Sequence, residues 1–189
     1  MKKIVYLLLA ITVVSCSNND EESSVESCNT SSSEFQTIFG SGGSVTYDFD
    51  VHSYNFVLSQ NKTVCKIGYQ STSYNVTHPY TIKILQGSTV IYNQTHLFND
   101  NATSYVTPTT AINLTAGVTY TIERIQTDSG GPGAPYYNLQ NVGRIKPTTT
   151  FPVSSSYMSI VSSKFYFVSS NGSAILNDTA IPFIDIIFK

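Results

Sequence analysis

The feature that most constrains the fold of this chain is a succession of short segments in which apolar side chains recur at every second residue. Residues 118–126, VTYTIERIQ, alternate most cleanly, and residues 44–51 place Val45, Tyr47, Phe49 and Val51 on one face. Successive side chains of a β-strand point to opposite faces, so this period is typical of half-buried strands. No segment shows a convincing 3.6-residue period. We therefore predict an all-β fold with little or no helix in the mature domain.

Turn residues between these segments indicate antiparallel pairing. Gln86-Gly87-Ser88 separates two β-type runs, which predicts a compact hairpin. Gly68 interrupts the run VCKIGYQ at residues 64–70, and an isolated glycine in a strand indicates a bulge or a close backbone approach. For residues 118–126 the inward set is Val118, Tyr120, Ile122 and Arg124, or the opposite register. The final run, IPFIDIIF at residues 181–188, is so apolar that we expect a strand in the centre of a sheet.

The first 16 residues, MKKIVYLLLAITVVSC, predict an export signal. Lys2 and Lys3 precede an apolar run of residues 4–14, which is shorter than the roughly 20 residues of a membrane-spanning helix. The segment Val13-Val14-Ser15-Cys16 resembles the lipobox of bacterial lipoproteins. That resemblance implies removal of residues 1–15 and attachment of lipid chains such as palmitate to Cys16, since two or more chains anchor a protein stably. The alternative is an ordinary cleaved signal.

After Cys16 the chain becomes acidic and rich in serine. Residues 16–34 contain too few apolar side chains to offset their ordering entropy, so we expect a flexible tether. The acidic triplet Asp20-Glu21-Glu22 resembles the export signal of surface-exposed lipoproteins in some Gram-negative bacteria, which implies a position on the outer face of the outer membrane. A solvated linker that faces the periplasm is the alternative.

Length and charge bound what the remaining chain can do. Loss of the signal leaves enough residues for one domain, which we place at residues 35–189. Removal of Lys2 and Lys3 leaves eight basic and twelve acidic residues, and five of the acidic ones lie before Phe35. The domain is therefore nearly neutral. It offers no basic patch that would recruit nucleic acid through counterion release.

Three segments of the domain resemble an uncharacterised extracellular β-sandwich module of bacterial surface and carbohydrate-associated proteins. They are VCKIGYQ at residues 64–70, LTAGVTYTI at residues 114–122 and FIDIIF at residues 183–188. The resemblance covers residues 35–189 and implies a jelly-roll-like antiparallel sandwich, with no catalytic residue to transfer. The chain departs from the module in having no tryptophan and an extra tyrosine-rich loop, which puts any shared ligand in doubt.

The two cysteines other than Cys16 are a candidate disulfide pair. Cys28 and Cys65 would be exported to an oxidising compartment, where such bonds persist. Spacing alone does not establish the geometry, so a buried Cys65 and a free Cys28 remain the alternative. A metal site at either cysteine is disfavoured, because no histidine or further cysteine stands at ligand spacing.

The best candidate for ligand binding is aromatic. Tyr136-Tyr137-Asn138 follows a glycine-rich loop, and tyrosine combines a flat apolar face with a hydrogen-bonding tip that suits sugar rings or protein interfaces. Loops on a rigid sandwich often carry binding residues. The alternative is that one tyrosine faces the core and the other is half exposed.

Acidic side chains give weaker candidates. Asp48, Asp50 and Asp100 are candidate calcium ligands, because calcium prefers oxygen ligands such as carboxylates. The alternative is that Asp48 and Asp50 lie on a solvated strand face and that Asp100 belongs to a polar turn. Glu123 and Asp185 lie on the most apolar strands, and we expect Asp185 to form a structural ion pair with a nearby arginine or lysine. The three histidines stand beside turns or strand ends, so we expect them to be solvated.

Together these features predict a lipid-anchored, non-catalytic binding module of the cell envelope, with a glycan as candidate ligand. A structural or assembly lipoprotein that binds another envelope protein is the alternative, and a small hydrolase is a further one. Asp178-Thr179-Ala180 resembles an O-glycosylation motif of some exported bacterial proteins, which makes Thr179 a candidate O-glycan site.

Overall fold

The computed structural model describes residues 28, 33–41, 43–46, 50–71, 77, 79–126, 143–169 and 172–189 of the chain. These residues contain one short helix and fourteen strands, which confirms the all-β prediction. The elements are α1 (Glu34–Phe39), β1 (Ser44–Thr46), β2 (Val51–Leu58), β3 (Lys62–Tyr69), β4 (Tyr80–Gln86), β5 (Thr89–His96), β6 (Ser104–Val106), β7 (Ile112–Leu114), β8 (Thr119–Gln126), β9 (Gly143–Pro147), β10 (Val153–Ser154), β11 (Met158–Ser169), β12 (Gly172–Asn177), β13 (Ala180–Pro182) and β14 (Asp185–Phe188).

The strands form three antiparallel sheets. The largest has seven strands in the order β10-β11-β2-β8-β4-β5, and β12 also pairs with β11. A four-stranded sheet has the order β14-β3-β6, with β7 also on β3, and a three-stranded sheet has the order β1-β9-β13. The two larger sheets pack through one apolar core, in which the rings of Phe56 on β2 and Phe188 on β14 lie 6.3 Å apart. This arrangement is a β-sandwich.

The register of β8 follows the alternation of its sequence. Tyr120, Ile122 and Arg124 are buried on the inner face of the seven-stranded sheet, as the first of the two registers predicts. Thr121 and Glu123 consequently face outward. This strand lies between β2 and β4, so its outward side chains stand near the middle of the exposed sheet face.

The expectation of little or no helix overlooked α1. Ser33 caps this helix, since its Oγ accepts a hydrogen bond from the backbone N–H of Gln36 at 2.9 Å, and Phe35, Ile38 and Phe39 are buried. Six residues make fewer than two turns, which is too short to reveal a helical period. Ser33 and Glu34, which the sequence placed in the tether, therefore belong to the packed body.

The prediction of one final strand in the centre of a sheet is wrong. β13 pairs with β9, whereas β14 pairs with β3 in another sheet. A tight turn separates them, because the N–H of Ile184 donates to the carbonyl of Pro182 at 3.0 Å. Among the described residues no strand pairs with the other edge of β14. Its residues are nevertheless buried, since α1 packs against it.

Residues 44–51 also depart from their predicted strand. Only β1, Asp50 and the first residue of β2 lie in the described part of this run, and Asp50 belongs to neither strand. Tyr47 and Phe49 lie outside the described residues. Val45 is 58% exposed, although the alternation placed it on an apolar face. β1 is only three residues long and pairs with β9 in the small sheet, so it does not present this valine to the main core.

Candidate functional site

A polar groove of about 480 Å³ crosses the outer face of the seven-stranded sheet where β8, β2 and β11 lie side by side. Its walls carry hydroxyl, amide and charged groups on the outward positions of these strands. The principal lining residues are Ser53, Asn55, Thr121, Glu123, Ser162 and Lys164. Because three central strands supply them, their backbone positions are fixed by two ladders of hydrogen bonds.

The floor of the groove is held by hydrogen bonds between side chains. Asn55 stands opposite Thr121 on one side and Ser162 on the other. Its Nδ2 donates to Ser162 Oγ at 2.8 Å, and its Oδ1 accepts from Thr121 Oγ1 at 2.6 Å. A register shift in β11 between Ile160 and Ser162 aligns Ser162 with this row. The groove is therefore preorganised rather than lined by mobile side chains.

Two charged groups stand beside this row. Glu123 and Lys164 lie on either side of Ser53 in the strand registers. Glu123 is half-buried and Lys164 is exposed. Neither side chain forms a hydrogen bond or an ion pair within the described part of the chain. An ammonium and a carboxylate are thus available to a ligand that lies in the groove.

Asp178 closes the end of the groove next to β11. Its Oδ1 accepts from the N–H of Ser163 at 2.8 Å, and its own N–H donates to the Ser163 carbonyl at 3.0 Å. Asp178 has a φ of 53°, a left-handed conformation that aspartate tolerates better than most residues. Ser163 lies opposite the buried Tyr54, so its side chain is on the inner face of the sheet, and its buried Oγ has no hydrogen-bond partner among the described residues.

Tyr166 stands on the same sheet face, two residues beyond Lys164 on β11, and is half-buried. It lies opposite Val51 of β2 and Ile175 of β12. Sequence reasoning identified Glu123 but missed Tyr166, Ser162 and the groove itself. Glu123 lies on β8, whereas Ser162 and Tyr166 lie on β11. The two strands are distant in sequence, and only sheet pairing places their side chains on one face.

A second polar centre lies under α1, around Asp185. This side chain is fully buried, and its two oxygens accept from three neutral donors. Ser33 Oγ donates at 2.7 Å, Gln36 Nε2 at 2.6 Å and Tyr105 Oη at 2.8 Å. The expected ion pair with an arginine or lysine is therefore absent from the described contacts, and hydroxyl and amide donors satisfy the carboxylate instead.

Gly68 makes the contact between Tyr105 and Asp185 possible. Gly68 pairs with Asp185 on one side and with Tyr105 on the other, so the phenol must cross β3 to reach the carboxylate. A Cβ on Gly68 would lie 2.5 Å from Tyr105 Cε1. The sequence predicted a bulge or a close backbone approach at Gly68, and the structure shows the Tyr105 ring lying against this glycine. Burial raises the pKa of Tyr105, and the charge of Asp185 and their hydrogen bond raise it further, so the phenol stays protonated as a donor.

An open pocket of about 610 Å³ adjoins this centre, between α1, β6 and β9. Arg144 of β9 is the one charged side chain among its described lining residues. The guanidinium carbon lies 3.9 Å from the ring centroid of Phe183 and 5.6 Å from that of Phe39. Its Nη1 donates to Thr103 Oγ1 at 3.2 Å. The ring and the threonine together fix the plane of the guanidinium.

The residues that the sequence singled out have separate positions. Cys16, Asp48, His78 and the segment Tyr136-Tyr137-Asn138 lie outside the described residues. Thr179 is exposed and directly precedes β13. Cys28 and Cys65 form a disulfide with their Cα atoms 5.9 Å apart.

Two of the three calcium candidates, Asp50 and Asp100, lie in the described part of the chain. Asp50 precedes β2 and Asp100 lies in the loop before β6. Within the described ranges there is no group of three or more His, Cys, Asp or Glu side chains that could hold a metal ion. Calcium therefore stays a prediction from the sequence.

The described histidines are less solvated than expected. His52 is fully buried and packs edge-on against Phe165 with the ring centroids 4.9 Å apart. His96 is half-buried, and its Nε2 lies 2.7 Å from Tyr92 Oη. Both lie on inner or edge positions of the seven-stranded sheet, which the turn-like residues around them did not reveal.

No protein family, curated protein or solved structure matches this chain. The described residues also contain no helix that is long and apolar enough to cross a membrane.

Proposed function

We propose that this protein is a non-catalytic glycan-binding module, anchored by lipid on Cys16 and exposed at the surface of a bacterial outer membrane. The membrane part of the proposal rests on the lipobox-like sequence, and the surface position rests on the acidic triplet after it. The binding part rests on one structural observation, the preorganised polar groove across the outer face of the seven-stranded sheet.

The chemistry of the groove suits a chain of sugars. Sugar hydroxyls both donate and accept hydrogen bonds, and the groove presents amide, hydroxyl, carboxylate and ammonium groups on one rigid surface. Tyr166 adds a partly apolar surface of the kind that packs on a sugar ring. An open groove also accommodates an extended polymer better than a closed pocket would.

Glycan arrays followed by calorimetry test the binding proposal. We expect binding to a neutral polysaccharide and a loss of about tenfold in affinity for Glu123→Ala and for Lys164→Ala, because both residues line the groove and each change removes one direct contact. Lys83→Ala is the matched control, since Lys83 lies on the same sheet face opposite Glu123 but does not line the groove. Equal effects of the control and the groove variants, or no glycan bound at all, would refute the proposal.

Metabolic labelling tests the anchor separately. Cells that express the full chain should incorporate labelled palmitate, and Cys16→Ser should abolish the label and release the protein from the membrane fraction. Protease added to intact cells should degrade the anchored protein if it faces outward. An unlabelled wild-type chain would refute the lipid anchor, and complete protection from protease would place the domain in the periplasm.

Strand β5 favours a second candidate function, the assembly of an envelope complex. Its sequence, TVIYNQTH, carries no lysine, arginine, aspartate or proline, and among the described strands it stands at one end of the seven-stranded sheet. Val90 and Ile91 are exposed there, and uncharged edge strands readily pair with another strand. Photo-crosslinking from position 93 in cells should then capture one stoichiometric envelope protein, whereas the glycan-binding proposal predicts no such product.

A hydrolase remains a further alternative because Glu123 and Asp178 both line the groove. Glycosidases use two carboxylates on either side of the scissile bond. One oxygen of Asp178 is already bound to the Ser163 backbone, which favours a structural role. Release of reducing sugar that Glu123→Gln abolishes would establish hydrolysis and overturn the non-catalytic proposal.

A further inference from the structure

The pocket beside α1 has the features of a second binding site that differs chemically from the groove. Here "the Arg144 pocket" means the cavity lined by Gln36, Thr37, Ser41, Thr103, Arg144 and Phe183, together with adjoining residues. Arg144 supplies its only charged side chain among the described lining residues. The other polar groups on its wall are hydroxyls and an amide.

The guanidinium is held in place but not neutralised. Its face lies against Phe183, and Nη1 donates to Thr103 Oγ1. No carboxylate lies within ion-pairing distance of it in the described part of the chain. A guanidinium that is stacked on a ring and held at one edge keeps its remaining N–H groups in a fixed plane, which suits two parallel hydrogen bonds to a carboxylate.

The nearby charges leave a net positive potential. Asp185 lies beneath the pocket, but its oxygens accept from Ser33, Gln36 and Tyr105, and it is fully buried. Lys146, two residues beyond Arg144 on β9, directs its ammonium to the carbonyl of Ile38. Because the Lys146 ammonium is already bound to that carbonyl, Arg144 supplies the positive charge that is open to a ligand in this pocket.

We propose that the Arg144 pocket binds the carboxylate of an acidic sugar residue, such as a uronic acid. The Arg144 guanidinium would pair with the carboxylate, and the hydroxyls of Thr37 and Ser41 would bind the ring hydroxyls. The cavity of about 610 Å³ is large enough for one or two sugar residues. This inference rests on the proposed glycan binding and adds that the bound glycan contains an acidic sugar residue.

Titration of the full chain with oligogalacturonate and with a neutral oligosaccharide of equal length tests the proposal. Arg144→Gln should weaken oligogalacturonate binding by about tenfold or more, and Arg144→Lys should recover only part of it, because lysine keeps the charge but not the planar fork. Affinity should fall as the salt concentration rises. Binding of the neutral oligosaccharide should stay unchanged in both variants.

Two further variants keep the result interpretable. Lys146→Gln removes a positive charge from the same strand without changing the described lining of the pocket, and we expect an affinity change below about threefold. Thr103→Val keeps the guanidinium but removes its hydrogen-bond partner, so we expect an intermediate loss of affinity for oligogalacturonate. This variant takes the place of Arg144→Gln if the latter fails to fold. Circular dichroism of each variant establishes that it is folded.

The outcomes separate this inference from the proposed function. Binding of neutral glycans with no preference for oligogalacturonate would overturn the Arg144 pocket and leave the groove proposal intact. Equal losses for Lys146→Gln and Arg144→Gln would show a diffuse charge effect and overturn it as well. Binding of peptides through their terminal carboxylate, in preference to the uronate, would replace the acidic sugar with a protein ligand.

Discussion

Replacement of Gly68 by alanine should break the hydrogen bond between Tyr105 and Asp185, although neither of these two residues is itself substituted. The added Cβ would lie 2.5 Å from Tyr105 Cε1 and 2.8 Å from Cδ1, about 1 Å inside ordinary van der Waals contact. The neighbouring atoms belong to an aromatic ring across the strand, so the ring must shift. A shift of that size removes the 2.8 Å hydrogen bond to Asp185.

The expected cost has two parts. Loss of a hydrogen bond to a charged group costs about 1.5–3 kcal/mol, and overpacking of a close contact costs about 1–3 kcal/mol. We therefore expect Gly68→Ala to lower the free energy of unfolding by about 2.5–6 kcal/mol. Tyr105→Phe should cost about 1.5–3 kcal/mol, since it removes the hydroxyl and keeps the ring.

Urea unfolding of both single variants and the double variant measures the coupling between them. Tyr105 Oη also accepts a hydrogen bond from Gln36 Nε2 at 2.8 Å. Once Gly68→Ala has displaced the ring and broken both hydrogen bonds, Tyr105→Phe has little left to remove, so the two effects should fall short of additivity by about 1.5 kcal/mol or more. Tyr166→Phe is the control, because its hydroxyl has no partner among the described residues, and it should add to Gly68→Ala within about 0.5 kcal/mol. Additive effects of Gly68→Ala and Tyr105→Phe would refute the reasoning.

Three further predictions concern buried polar groups and the cross-link. Asp185→Asn should cost about 2–3 kcal/mol in urea unfolding, because an amide N–H₂ would face donors where a carboxylate now accepts; an unchanged midpoint would contradict this. Reduction of the disulfide between Cys28 and Cys65, separated by 37 residues, should cost about 4 kcal/mol, and Cys65→Ser should make thermal unfolding insensitive to reductant. Burial lowers the pKa of His96 below its ordinary value of 6.5, so the stabilising contribution of the neutral ring is present above that pH and is lost as the pH falls. Between about pH 7.5 and about pH 5.5, the melting temperature of His96→Gln should therefore decline less than that of the wild type. Parallel declines in the two proteins would contradict the assignment.

The candidate sites show how much depends on pairing between distant strands. The alternation of residues 118–126 was enough to place Tyr120 and Ile122 inside and Glu123 outside. It could not show that Thr121, Asn55 and Ser162 stand side by side on three neighbouring strands, because strand order is not encoded in any local period. The tyrosine loop that the sequence favoured lies outside the described residues, so it stays a prediction.

The sequence alone determined the strand class, because a two-residue period is a local consequence of backbone geometry that survives in any β-sheet. It also singled out Gly68 as the place of a bulge or a close approach, because an isolated glycine in a strand indicates one or the other. Only the tertiary structure decided what approaches Gly68, how Asp185 is satisfied without a cation, and why IPFIDIIF divides between two sheets. Those outcomes depend on which strands and which helix lie next to one another, and residues as far apart as Ser33 and Asp185 carry no local sign of their contact.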